Sequence, residues 1–167
     1  MSDDIEEMER MLNEYLEFSR YQKNEETETV NINNMINEVV KKYENNQVDI
    51  SVEENLEINI RPNSIKRCLT NLIDNGLSYG KKVAILSNKT KNNLSIIVDD
   101  DGPGIDEDEY QNVMKPFYRI DKSRSQNKSG VGLGLSIAND IIRSHGGNIS
   151  LDKSPLSGLR VKISLPL

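Results

Sequence analysis

"VDDDGPGID", residues 98–106, is the stretch on which the reading of this chain turns. A β-branched strand end runs into three aspartates and then Gly-Pro-Gly. Glycines let a backbone turn tightly and come close to a flat ligand, and an aspartate at a strand end can accept a hydrogen bond from an exocyclic amine. A calcium loop competes with that reading, but the alternating D-x-D-x-D-G ligands and closing Glu of an EF-hand are missing. A plain turn is the third reading, so the flanking segments have to decide.

Upstream, Pro62 opens a helix predicted to run to Tyr79, and it contains "NLIDNGLSYG" (71–80). At about 100° per residue, Ile65, Cys68, Leu69, Leu72 and Ile73 form one broad apolar face, with Asn71, Asn75 and Ser78 in a lane along its edge. That lane is either a polar shoulder beside a core or a set of carboxamide oxygens reaching a hard cation. Downstream, "SGVGLGLSIANDIIRSHGG" (129–147) sets Gly130, Gly132 and Gly134 at the mouth of a helix predicted over 131–145. Backbone N–H groups there suit phosphate oxygens, although the run is neither a Walker loop nor G-x-G-x-x-G after a strand. Between the glycine clusters, "KPFYRIDKSRSQNK" (115–128) carries five cations against one acid, a net +4 in a chain of net −6. Such a run is a solvated loop or a lid over phosphates.

The remaining segments supply the frame. Alternation marks strands around 82–87, 94–99 and 159–167, with "NISLD" (148–152) pairing with the last, and a segment around 48–52 expected to pair with 56–60. A helix is expected over 32–44 and a polar loop over 101–129. The sum is an α+β fold, a two-layer sandwich with helices on one face of a sheet. Residues 2–22 read as a further helix in which Ile5, Met8, Leu12 and Tyr15 follow 3-4-3 spacing, widened by Met11, Leu16 and Phe18. The polar "KNEETET" (23–29) follows as a linker. His145, the only histidine, precedes Gly146–Gly147 and reads as a helix end, where a cation suits the dipole and a glycine supplies the left-handed cap.

Composition removes several function classes. A net charge of −6 argues against general nucleic-acid binding, which rests on many cationic phosphate contacts. One cysteine, Cys68, excludes an internal disulfide or a cysteine-rich metal site and fits a reducing compartment. No apolar run approaches the roughly 18 residues of a membrane span, and no signal-peptide pattern opens the chain, so it is expected to be soluble and cytoplasmic.

The order of these segments is far more specific than any one of them. It resembles the N box (71–80), G1 box (99–105), F box (115–121) and G2 box (130–135) of the ATP-binding domain of bacterial two-component sensor histidine kinases. These belong to the GHKL superfamily, and the wording is nearest to the EnvZ-like osmosensor type. The resemblance covers about residues 31–167 and implies the GHKL (Bergerat) sandwich with a mixed sheet, binding ATP and Mg²⁺. It implies that Asn75 holds Mg²⁺, Asn71 lines the same pocket, and Asp100 accepts from the adenine amine. Gly102, Gly104 and Ile105 would shape the pocket and Tyr79 would pack beside the nucleotide. Phe117 would anchor the lid, Arg119 would meet the γ-phosphate, and Gly130, Gly132, Leu133 and Gly134 would approach the phosphates. Three positions depart from the family's pattern: Ser78 replaces a basic residue, Gly76 replaces Ala, and Val131 replaces Thr or Ser.

The family's phosphoacceptor motif, H-E/D-L-R-T-P, is absent from the chain. Residues 1–22 resemble the end of the second helix of the dimerising hairpin, 23–30 a linker, and 31–167 the catalytic domain. The resemblance therefore implies a histidine kinase part that binds ATP·Mg²⁺ and has no catalytic acceptor of its own. Its implied partners are a response regulator and a second copy through the dimerisation helices, in a full-length protein anchored to the membrane with this part on the cytoplasmic side. Two other readings stand beside it: a GHKL serine kinase regulating a sigma factor, and a nucleotide-free interaction module.

Overall fold

The computed structural model describes residues 2–52, 56–116, 118 and 134–167. Helix α1 (Ser2–Asn24) leads into strand β1 (Glu28–Asn31) and helix α2 (Ile32–Val40). Strands β2 (Val48–Ser51) and β3 (Glu57–Ile60), helix α3 (Pro62–Tyr79), and strands β4 (Val83–Lys89) and β5 (Asn93–Asp100) follow. A 3-10 turn (Glu107–Glu109) and a single helical turn α4 (Tyr110–Val113) come next, then helix α5 (Gly134–Ser144) and strands β6 (Asn148–Lys153) and β7 (Leu159–Pro166).

The main sheet has the order β2-β4-β5-β7-β6, with β2 parallel to β4 and every other pair antiparallel. Alternation along the strands sends Val83, Ile85, Leu94, Ile96, Val98, Val161, Ile163 and Leu165 inward. Against them pack the apolar faces of α2 (Ile32, Met35, Ile36, Val39), α3 (Ile65, Cys68, Leu69, Leu72, Ile73) and α5 (Leu135, Ala138, Ile141, Ile142). The expected two-layer α+β sandwich with a mixed sheet is what forms. Strand β6 pairs with β7 as expected, with Ile149 opposite Ile163 and Leu151 opposite Val161.

One expected pairing is wrong. Residues 48–52 and 56–60 do not form a hairpin: β2 joins the main sheet beside β4, whereas β3 pairs antiparallel with β1 in a separate two-stranded sheet. The physical reason is that β4 would otherwise present an open edge of backbone donors and acceptors. Placing β2 there satisfies that edge and buries Val48 in register with Val83. The segment read as polar connector runs on into β1, whose Val30 faces Ile58. Helix α2 is also shorter than the expected 32–44, although Tyr43 still packs on the core beyond it.

Helix ends are fixed by identifiable groups. The Asn31 side chain accepts from Asn34 N–H at 3.1 Å and caps α2. Pro62 starts α3, but Arg61 gives no side-chain cap. Glu25 supplies one from outside, accepting from Asn63 N (2.8 Å), Ser64 N (3.0 Å) and Ser64 Oγ (2.8 Å). Helix α5 closes in a Schellman motif: Gly146 at φ +80° donates to Arg143 O (3.0 Å) and Gly147 donates to Ile142 O (3.0 Å).

Candidate nucleotide site

The end of β5 delivers Asp99, Asp100 and Asp101 to three different surroundings. Asp99 is buried and bidentate with Arg160 on the neighbouring strand β7, at 2.8 and 2.9 Å. Asp100 turns inward under α3 and is buried. Its Oδ1 accepts from the backbone of Gly102 (3.0 Å) and Leu159 (3.1 Å), which leaves Oδ2 without a partner among the described residues. Asp101 accepts from the Lys81 and Lys82 amides at 2.7 and 2.9 Å and ties the end of α3 to the G1 turn. Only the middle aspartate presents a buried carboxylate edge to a ligand. Burial pushes the Asp100 carboxyl above the usual range, with the neighbouring aspartates adding to the rise and the two backbone donors opposing it.

The glycines give Asp100 its room. A Cβ at Gly76 would stand 2.7 Å from Val83 Cγ2 and 3.2 Å from Asp100 Cβ, so α3 approaches the sheet more closely here than an alanine allows. A Cβ at Gly102 would press on the Tyr79 carbonyl at 3.0 Å. Gly104 adopts φ +73°, a left-handed conformation that side chains avoid.

Asn71 and Asn75 line α3 beside this cleft, both half-buried. The Asn71 Nδ2 is buried with no hydrogen-bond partner among the described residues, a donor left for something else. Gly134, the first residue of α5, lies next to Asn71: a Cβ there would stand 3.9 Å from the Asn71 carbonyl. Tyr79 stands at the rim, 57% exposed, and Ile105 packs partly on the core. Helix α3 thus joins the G1 turn, through the Gly76–Asp100 and Tyr79–Gly102 approaches, to the start of α5, through Asn71 and Gly134. Phe117, Arg119, Gly130, Val131, Gly132 and Leu133 lie outside the described residues, as do Lys122, Arg124 and Lys128 of the cationic run.

Two contributors were not foreseen. Gly158 in the β6–β7 turn donates to the Asp100 carbonyl at 3.1 Å, and a Cβ there would overlap Asp100 Oδ1. Its only sequence signal is a glycine just before an alternating strand. Asp74, beside Asn75, is held by the Tyr43 hydroxyl at 2.7 Å, while the Ser78 hydroxyl donates back to the Asp74 carbonyl at 2.9 Å.

His145 stands away from the cleft. Its Nδ1–H donates to the Ile141 carbonyl (2.7 Å), and its Nε2 accepts from the Arg61 amide (3.1 Å). That pairing requires the neutral imidazole. Burial, with the Arg61 charge beside it, holds the ring below its ordinary pKa, although the Ile141 carbonyl and Glu25 pull the other way. The helix-end reading stands, but the expected cation at the dipole is Arg143 instead.

Residues 60–167 match the family of histidine kinase-, DNA gyrase B- and HSP90-like ATPases. The chain is 33% identical over 174 residues to the sensor histidine kinase CpxA of Escherichia coli K12, covering 98% of this chain and 38% of that protein. It is 35% identical over 173 residues to the histidine-protein kinase ArlS of Staphylococcus aureus USA300, covering 95% and 38%. It therefore spans well under half the length of these relatives. The catalytic domain of histidine kinase ThkA superposes with a TM-score of 0.74 at 28% identity, over 84% of this chain and 97% of that one. The histidine kinase domain of the E. coli osmosensor EnvZ gives 0.64 at 30%, over 84% and 88%. The chain belongs to the histidine kinase-, DNA gyrase B- and HSP90-like ATPase family, and within it to the ATP-binding catalytic domains of sensor histidine kinases.

Proposed function

We propose that this chain binds ATP·Mg²⁺ in the cleft between α3 and α5 and supplies the γ-phosphate to a histidine that it does not itself contain. The observation that carries the reading is the single free edge of the buried Asp100 carboxylate, held by two backbone donors and framed by glycines. A carboxylate so fixed is suited to the exocyclic amine of adenine. Gly102, Gly104, Ile105 and Tyr79 line that base, and Gly158 keeps the carboxylate oriented. Asn71 Nδ2 and the amides at the start of α5 would donate to phosphate oxygens. Phe117, Arg119, Gly130, Gly132 and Leu133 keep, on the resemblance alone, the lid and phosphate roles assigned above.

The residues present fit a magnesium ion. Among the described residues no group of three His, Cys, Asp or Glu could hold a metal alone. Mg²⁺ characteristically takes few protein oxygens and completes its shell with substrate phosphates and water, and the Asn75 carboxamide oxygen would be the protein's contribution. Bound there, the ion would neutralise charge developing on the transferred phosphoryl group.

On this reading residues 1–22 are the end of a dimerisation helix, 23–30 a linker and 31–167 the catalytic domain. The whole protein is a membrane-anchored sensor whose cytoplasmic kinase part dimerises and passes phosphate to a response regulator. No described helix is long and apolar enough to cross a membrane. Incubation with γ-labelled ATP and Mg²⁺ should raise the melting temperature and leave no acid-labile phosphate on the chain. Absence of a thermal shift would contradict the nucleotide reading, and label on this chain would contradict the separation of donor from acceptor.

A further inference from the structure

The last turn of α3 carries Asn75 and Tyr79, and its sequence gives it little helical strength of its own. Gly76 is, after proline, the poorest of helix formers. Two residues on, the Ser78 hydroxyl bonds back to the Asp74 carbonyl at 2.9 Å, an i to i−4 contact that weakens and bends helices. Gly80 closes the helix in an extended conformation, without the left-handed cap found at the end of α5. No basic residue stands in the last turn to meet the dipole. Terminal turns of this kind open at little cost in free energy.

What holds this turn comes from elsewhere in the chain. Beyond it, Asp101 accepts from the Lys81 and Lys82 amides. Before it, the Tyr43 hydroxyl donates to Asp74 Oδ1 at 2.7 Å, across 31 residues. Tyr43 lies between α2 and β2, where its amide donates to the Val40 carbonyl at 3.0 Å and its side chain is half-buried against the core. The donor is therefore anchored, and it meets α3 at the residue just before Asn75. Burial, and then the bond to Asp74, push the Tyr43 hydroxyl above its ordinary range, so it keeps the proton it donates.

We propose that Tyr43 is a positioning residue for nucleotide binding: through Asp74 it keeps the last turn of α3 formed, and with it Asn75 and Tyr79 in place. A binding-competent conformation that is only partly populated lowers the apparent affinity by that fraction. Loss of the Tyr43 bond therefore reaches the nucleotide without any need for Tyr43 to touch it. The proposal rests on the nucleotide reading of the cleft, but the order of the turn is measurable without nucleotide.

Amide hydrogen exchange on the ligand-free chain and calorimetric titration with Mg·ATP test it, on the unaltered chain, Tyr43→Phe, Asp74→Asn and Glu25→Ala, with melts confirming that each folds. Tyr43→Phe removes the donor and keeps the ring. It should speed exchange at residues 78–80 and weaken Mg·ATP binding, each by about three- to tenfold, the worth of one hydrogen bond. Asp74→Asn keeps an acceptor for the hydroxyl and should retain most of the affinity. Glu25→Ala loosens the opposite end of the same helix, and a merely structural role for Tyr43 would make the two variants alike. It should leave both exchange at 78–80 and affinity unchanged. Unchanged exchange or affinity in Tyr43→Phe, or an equal loss of affinity in Glu25→Ala, overturns the proposal and leaves the nucleotide site standing. No binding of Mg·ATP to the unaltered chain removes the nucleotide reading and the proposal with it.

Discussion

Replacing Asp100 by Asn keeps an acceptor for the Gly102 and Leu159 amides and removes a charge whose burial raises its pKa. A carboxyl with a raised folded pKa binds its proton more readily in the folded chain than in the unfolded one. Its ionisation therefore costs stability as the pH climbs through that range. Ligand-free Asp100→Asn should accordingly melt at or above the unaltered chain at neutral pH, which scanning calorimetry measures. His145 has the opposite sign. Its imidazole is held below the ordinary value of about 6.5, so on acidification the unfolded chain takes up a proton before the folded one. Stability should fall as the pH drops through the ordinary imidazole value of about 6.5 and on to the lower folded one, and melts should show that His145→Ala, less stable at the outset, loses most of that decline. Sequence alone could single out the middle aspartate only by resemblance. The bonds that separate it from Asp99 and Asp101 come from Arg160 and from the Lys81–Lys82 amides, remote in the chain.

Helix α3 shows how local preference yields to packing. Alanine is the better helix former by about 1 kcal/mol, and Gly76 reads from the sequence as a weakness. The 2.7 Å approach to the β-branched Val83 reverses that sign. Gly76→Ala should destabilise the chain by about 1–3 kcal/mol through overpacking, read from urea unfolding, and a stabilised variant would disprove the close approach. The start of α3 makes the same point about distance. Glu25 belongs to a polar run that reads as linker, yet it caps a helix 38 residues away, and no local pattern announces such a cap. Glu25→Ala should cost about 1 kcal/mol, measurable in the same unfolding series. The main sheet and the apolar helix faces were legible because period-2 and period-3.6 patterns report burial directly. The pairing of β2 was not, because which edge a short strand joins depends on the open edge of β4.

For the whole molecule, the two-layer sandwich sets three chemically weak signals along α3: an asparagine lane on the helix itself, an aspartate turn against its end and the start of α5 against Asn71; in sequence a cationic, glycine-rich run joins the last two. Each has a bland reading alone. Together with a buried donor on Asn71 and a free carboxylate edge on Asp100, they carry the proposal that the chain binds a purine with attached phosphates. The most direct measurement is calorimetric titration of Mg·ATP into the unaltered chain and into Asp100→Asn. Saturable binding at one site per chain, weakened about 10- to 100-fold by the substitution, is the predicted result. No binding to the unaltered chain, or equal affinity in the two, would contradict it.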